Sequence, residues 1–278
     1  MPTLRDLLKN KLTAEELKLV PTAFDVIGGK EKSVAIIEIP EQLIKHEQVI
    51  AETVMKLYKS VKSVLKKASP RKGILRLREY KLITGDPNTE VLHIESGCRF
   101  RLDPQKTYFS QREGAERLRI AEKVKGSETV MVFFAGAGPF AIVIAKKTKP
   151  VKVVGIEINP EAIRYFKENV RLNKLQNIEV VEGDVREKAN KYYDACDHVF
   201  MPLPESAKEY VDEAIKCSRE NGIVHLYCFA KEDELQKLEK EISDKAENLD
   251  RKIEFIGHQL VLPWGPRIWK IRLDFKVL

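Results

Sequence analysis

An α/β fold built on a largely parallel sheet is predicted by three observations. Gly136-Ala137-Gly138 lies between an apolar strand-like run ending at Phe133-Phe134 and an apolar helix-like run that follows Pro139. About twenty residues on, Gly155-Ile156-Glu157-Ile158-Asn159-Pro160 closes a second strand-like run on an acidic side chain. Strand and helix signals then alternate regularly, the pattern of βαβ units that pair their strands in parallel.

The elements follow in order. Residues 151–158 are β-rich, and 160–172 carry apolar residues at helical spacing with Pro160 at the start, where a missing N–H costs nothing. A short apolar run, 178–181, ends in Gly183-Asp184; 198–201 is the next strand, 206–218 a helix and 222–230 a fifth strand. Residues 253–262 and 268–277, joined through Pro263-Trp264-Gly265-Pro266, read as a closing antiparallel pair. Ahead of these lie a helical stretch at 4–20, strands at 33–39 and 74–82, and a basic helix at 48–67. A length of 278 residues suits about two domains, each with its own core. The boundary is expected near residue 100, giving a smaller N-terminal α/β domain, 1–100, that engages RNA, and a catalytic domain, 101–278.

The glycines and Glu157 together read as a nucleotide-binding crevice, with the acidic side chain accepting from ribose hydroxyls. A dinucleotide fingerprint needs a third glycine so that a pyrophosphate can rest on the helix N-terminus, and that position holds Ala141. S-adenosylmethionine carries no phosphate and asks only for close approach. Asp184 falls at the carboxyl edge of the sheet, where a carboxylate accepts from an adenine amino group; an Asp after a strand equally serves as a helix cap.

Beyond the crevice, Phe24-Asp25-Val26-Ile27-Gly28, Ile36 to Pro40, Arg76-Leu77-Arg78, Tyr108-Phe109-Ser110-Gln111-Arg112 with Glu116-Arg117, and Met201-Pro202-Leu203-Pro204 carry a resemblance over nearly the whole chain. It resembles the archaeal and eukaryotic tRNA (guanine-37, N1)-methyltransferases, in a short archaeal form without their extra N-terminal domain. The resemblance implies a class I, Rossmann-like methyltransferase domain and transfer of the methyl group of S-adenosylmethionine to N1 of the guanine 3′ of the anticodon. It further implies Tyr108, Phe134, Gly136, Gly138, Glu157, Ile158, Asp184 and Val185 at the cofactor. Arg78, Arg112, Arg117, Pro202 and Pro204 are implied at the substrate.

Guanine N1 is a poor nucleophile until its proton leaves, so the reaction needs a base beside N1 and positive charge beside O6. By the resemblance these are Glu116 and Arg76. On sequence alone Glu116 is equally an exposed helix residue and Arg76 one surface cation among many. Two positions depart from the family pattern: Pro202 replaces an asparagine thought to hold the target base, and Val132 replaces an aspartate beneath the glycine loop. A proline supplies neither a side-chain donor nor a backbone N–H, so base positioning must differ.

A formal charge of +7 favours a polyanionic partner, here the tRNA anticodon arm. Lys56, Lys59, Lys62, Lys66, Lys67, Arg71, Lys72, Arg76 and Arg78 concentrate the excess in the first domain. A helix over 48–67 puts Lys62 and Lys66 one turn apart, on a face that equally reads as ordinary solvated surface. Cys98, Cys196, Cys217 and Cys228 show no C-x-x-C spacing, the five histidines form no cluster, and no signal peptide or long apolar span occurs. A cytoplasmic, metal-free monomer with mostly reduced thiols is expected; a disulfide stays open for a heat-adapted source. The enzyme alternative is the paralogous wybutosine-pathway aminocarboxypropyl transferase, against which Leu203-Pro204 and Glu116-Arg117 weigh. The other alternative is a non-catalytic RNA-binding protein.

Overall fold

The computed structural model describes residues 2–70, 73, 75 and 77–278. The chain divides into two units, residues 1–111 and 112–278.

The first unit opens with α1 (Leu4–Leu8) and α2 (Ala14–Leu19) rather than one helix. Thr3 and Thr13 each close a capping box, with Asp6 and Glu16, so the chain restarts its helix at Thr13. Strands β1 (Asp25–Gly28) and β2 (Ser33–Ile37) pair antiparallel, and α3 (Glu47–Leu57) crosses over to β3 (Val61–Lys67), parallel to β2. β4 (Tyr80–Gly85) completes the sheet in the order β1-β2-β3-β4, and β5 (Val91–Glu95) with β6 (Cys98–Leu102) forms a separate hairpin.

The expected basic helix over 48–67 is therefore half helix and half strand. Val61, Val64 and Leu65 are buried in β3, where branched side chains pack well on a pleated surface. Lys62 and Lys66 sit on that strand and not on a helical turn. Lys62 is exposed, whereas Lys66 Nζ lies 3.0 Å from Glu47, which also holds Lys81 at 2.5 Å. The strand expected at 74–82 begins only at Tyr80, with Leu77 in a single bridge; Arg71, Lys72 and Arg76 lie outside the described residues.

The second unit begins with α4 (Gly114–Ala121). It continues as β7 (Thr129–Phe133), α5 (Pro139–Thr148), β8 (Lys152–Glu157), α6 (Pro160–Leu172), β9 (Ile178–Glu182) and α7 (Val185–Lys188). Then come β10 (Cys196–Met201), α8 (Val211–Cys217), β11 (Ser218–Ala230), α9 (Leu235–Glu247), β12 (Ile253–Gly265) and β13 (Ile268–Val277). The seven strands lie in the order β12-β13-β11-β10-β7-β8-β9. The five from β11 to β9 run parallel, and β13 inserts antiparallel between β11 and β12.

Strand order reverses beside β7: β8 and β9 extend to one side, β10 and β11 to the other. A crevice opens outside the carboxyl ends of the strands at such a point. The helix expected at 206–218 is a 3-10 turn, Ala207–Tyr210, followed by α8. All four cysteines are buried free thiols, and burial raises Cys196 to about 12 and Cys228 to about 11, so those two stay protonated at neutral pH. Among the described residues no helix is long and apolar enough to cross a membrane.

Candidate active site

Three loops line the crevice in the second unit, and backbone bonds hold them side by side. Ala135 N–H donates to the Ile156 carbonyl at 3.0 Å, and Gly183 N–H to that of Glu157 at 2.9 Å. Glu157, at the end of β8, accepts from Gly136 N–H on one oxygen at 2.7 Å and from Asn159 N–H on the other at 2.8 Å. Burial pushes its pKa up, against the pull of the Asn159, Gly136 and Ile158 amides. The carboxylate is thereby fixed in orientation, and with three amides on its four acceptor sites it can still accept from a hydroxyl.

That arrangement also separates the ligand classes left by the glycine count. The Gly136 amide, which a dinucleotide site would aim at phosphate, is occupied by a carboxylate. An anion there would meet Glu157, whereas the neutral ribose of an adenosine-type cofactor would not. The residues fit S-adenosylmethionine.

The two glycines differ in purpose. Gly136 takes φ 57°, a left-handed turn. Gly138, at φ 86°, caps α5, and a Cβ there would stand 2.1 Å from the Phe166 ring. Gly155 meets the same ring, its Cβ position 2.4 Å away. The second glycine therefore makes room for Phe166 of α6.

Asp184 is the helix cap that its position suggested. Its Oδ1 caps α7 through Arg186 N–H at 2.8 Å, a bond that leaves the other carboxylate oxygen out of the cap. Val185 is buried in the core, which leaves only its backbone to face a ligand, while Ile158 is half-buried. Phe134 packs edge-on against Tyr210 at 4.9 Å, and the Arg186 guanidinium lies over the Tyr210 ring, 4.1 Å from its centre. The register pairing Phe200 with Val132 sets half-buried Pro202 beside Phe134, with Pro204 following in the same loop.

Glu116 is not an exposed helix residue: it is 2% exposed. Its Oε1 accepts from Tyr227 OH at 2.8 Å and from Arg272, and its Oε2 from Arg119. Arg272 in turn grips Asp274 with two nitrogens, at 2.8 and 3.1 Å. Asp274 accepts from His225 at 2.7 Å, His225 meets His198 at 3.0 Å, and His198 meets Glu128 at 3.2 Å. Beside this file Lys270 pairs with Glu113 at 3.0 Å and lies 5.0 Å from the Tyr227 ring centre. Burial lowers His225 to about 4, more than the hydrogen bond to Asp274 raises it.

Arg117, expected at the substrate, is 1% exposed and lies over the Phe140 ring at 5.7 Å. It is spent on packing α4 against α5, which corrects its reading as an RNA contact. Arg112 is half-buried at the start of this unit. Tyr108 and Arg78 belong to the first unit; Tyr108 is 36% exposed, and the buried Arg78 Nε has no hydrogen-bond partner among the described residues. Arg76 lies outside the described residues.

Sequence reasoning missed Lys270, Arg272, Asp274, Tyr227, Glu113 and Tyr210. The signal for the first three was present: charges at alternate positions of an apolar strand. That pattern normally marks a solvent face. Here all three are at most 4% exposed, because the face they occupy is covered.

Fold and crevice define a class I methyltransferase domain built for an adenosine-type cofactor. The TRM5/TYW2 methyltransferase domain matches residues 91–254 and the TYW2 N-terminal domain residues 4–89, so the chain belongs to the TRM5/TYW2 methyltransferase family. Over 261 residues it is 38% identical to the tRNA (guanine(37)-N(1))-methyltransferase Trm5b of Pyrococcus abyssi, covering 94% of this chain and 76% of that protein. It is 30% identical to the tRNA (guanine(37)-N(1))/4-demethylwyosine(37)-methyltransferase Taw22 of Nanoarchaeum equitans, covering 92% of this chain and all of that one. A solved complex of aTrm5 with tRNALeu superposes with a TM-score of 0.84 at 33% identity, covering 99% of this chain and 78% of that one. The cofactor of the family is S-adenosylmethionine.

Proposed function

We propose that this chain transfers the methyl group of S-adenosylmethionine to N1 of guanine 37 of tRNA, held by its anticodon arm. The observation that carries the reading is Glu116, a carboxylate hydrogen-bonded by two arginines and a tyrosine beside the carboxyl edge of the sheet that also holds Glu157. When bound, the cofactor supplies an electrophilic methyl group on a sulfonium. Glu157 holds its ribose, Asp184 and the backbone of Val185 its adenine, with Phe134 and Ile158 packing around it.

Glu116 takes the proton from N1. To do so it must release one donor, and Arg119, whose side chain is 42% exposed, is the one free to swing into water; Arg272, 3% exposed, is not. Oε2 is then the accepting atom, and Arg272 with Tyr227 keeps the group aimed. Arg76 stabilises negative charge at O6, Arg78 and Arg112 contact the RNA, and Pro202 with Pro204 forms an apolar floor against the face of the flipped base. The first unit, with exposed Lys62, engages the anticodon arm, and the enzyme acts as a cytoplasmic monomer.

Incubation with tRNA carrying unmodified guanine 37 and isotopically labelled cofactor, followed by mass mapping, tests the reading. One methyl group on guanine 37 is expected. A product heavier by an aminocarboxypropyl group, or no modified base in the anticodon loop, overturns it. A second reading rests on Pro202: lacking an edge-reading amide, the floor also suits a larger ring. Transfer to 4-demethylwyosine at the same position, as the name of the Nanoarchaeum relative states for that protein, is the corresponding outcome with tRNA bearing that base.

A further inference from the structure

The rim of the second unit carries an aromatic pair that the reaction does not use. Trp264, near the tip of the β12–β13 hairpin, stacks on Phe229 of β11 with ring centres 4.3 Å apart and planes 26° from parallel. It is nevertheless 59% exposed, the most exposed aromatic side chain among the described residues. One ring face is covered by Phe229, and the rest is presented to solvent.

Its position is fixed by register. Met201, the last residue of β10, pairs with Leu226, while β11 runs on to Ala230 opposite Trp269. At ~3.3 Å per residue the hairpin overtops the end of β10 by about 13 Å, a wall on the Pro202 side of the crevice. Phe229 lies two residues beyond Tyr227 on the same sheet face, about 7 Å further out than the hydroxyl partner of Glu116. That is the reach of a neighbouring nucleotide from a target base at Glu116.

The hairpin's own exposed charge near its tip is basic. From Phe255 to Leu273 there is no carboxylate, although the chain as a whole is one-third charged. Lys270 and Arg272 within that run are buried and paired, which leaves Arg267 exposed at the tip beside Trp264. An open indole face with an exposed arginine three residues along the same hairpin fits a nucleobase with its phosphate, while the exposed carboxylates of Glu232, Asp233 and Glu234, which follow Ala230 at the end of β11, disfavour an acidic peptide. We infer that Trp264, backed by Phe229, is a stacking platform for an unpaired RNA base adjacent to the one that enters the active site, with Arg267 on its phosphate. The inference rests on the RNA reading given above.

Stacking on an aromatic side chain tolerates any base, and its loss costs about 5- to 150-fold in affinity. In a Trp269→Phe background Trp264 is the sole indole, and an anticodon stem-loop RNA should quench its fluorescence. Trp264→Ala should weaken binding of that stem-loop by the factor above and raise KM for tRNA more than it lowers kcat, whereas Trp264→Tyr should restore most of the affinity. Cofactor binding by calorimetry and the melting temperature check that the fold is intact. Wild-type stem-loop affinity in Trp264→Ala, or equal quenching by a blunt RNA duplex without unpaired bases, overturns the inference. Quenching and affinity are read without methyl transfer, so a protein that binds the stem-loop through Trp264 yet methylates nothing would refute the proposed reaction and leave the platform standing.

Discussion

Replacing Arg272 by methionine removes the one cation that two buried carboxylates share. Glu116, Arg272 and Asp274 are 2%, 3% and 4% exposed, so water cannot take the place of the guanidinium. Asp274 would keep His225 at 2.7 Å and Lys123 at 3.5 Å, and Glu116 would keep Tyr227 and Arg119. Breaking a buried pair costs about 3–5 kcal/mol because the remaining charge is uncompensated. For a unit of this size that is a fall of about 6–20 °C in melting temperature.

The pH dependence identifies the cause. Burial alone would raise Asp274, but the hydrogen bonds of His225 and Arg272 bring it down from 3.8 to about 2. A depressed carboxylate contributes stability that is present above pH 3.8 and lost as pH falls through 2, here about 2–3 kcal/mol. Without Arg272 that contribution shrinks, so the gap between wild type and variant should narrow as pH is lowered from 7 to 3. Urea denaturation at several pH values measures it. A loss below about 1 kcal/mol at pH 7, or a gap that stays constant with pH, would refute the account of Arg272 as the shared counter-charge.

Four further outcomes are expected. Glu157→Ala should weaken cofactor binding by about 1.5–3 kcal/mol in calorimetry, the worth of hydrogen bonds to a charged group, and an unchanged affinity removes the ribose assignment. Glu116→Gln should keep tRNA and cofactor affinity while single-turnover methylation falls about 10²–10⁴-fold, and a rate within a few-fold of wild type assigns the proton to another group. Gly138→Ala should cost about 2–4 kcal/mol from overpacking and left-handed strain, partly recovered by adding Phe166→Leu; no recovery means the ring is not the obstacle. Burial holds His225 neutral down to about pH 4, so stability should decline by about 3 kcal/mol between pH 6.5 and 4 as only the unfolded chain gains that proton; His225→Gln should flatten this decline.

How far the sequence could be read depended on whether a local signal agreed with what packs on it. Residues 160–172 form α6 as expected, because the Asn159 cap, Pro160 and a 3.6-residue apolar period all point the same way. The crevice was legible for a similar reason: Gly136 and Glu157 are fixed by backbone geometry within one βαβ unit. The helix expected over 48–67 failed where the chain leaves Leu57, since lysines alternating with Val61, Val64 and Leu65 suit either period until the sheet supplies neighbours. Two of the partners of Glu116, Tyr227 and Arg272, lie 111 and 156 residues away, and no local pattern announces a contact of that range. At Gly138 a glycine in a loop says only that space is scarce, and the Phe166 ring that fills it lies 28 residues further along the chain.

The strand that carries Lys270, Arg272 and Asp274 is made last among those of the described residues, yet it belongs in the interior of its sheet. While the chain leaves the ribosome, β11 and β12 must keep a vacant lane between them, and Glu113 and Glu116 must stay hydrated until β13 brings their counter-charges. Early intermediates of the second unit are thus obliged to hold α4 loosely, with an unzipped sheet edge exposed. Closing that lane buries the charges and removes the edge in a single event, which makes the arrival of β13 the natural commitment step in maturation and the stage at which a nascent chain most needs shielding from its neighbours.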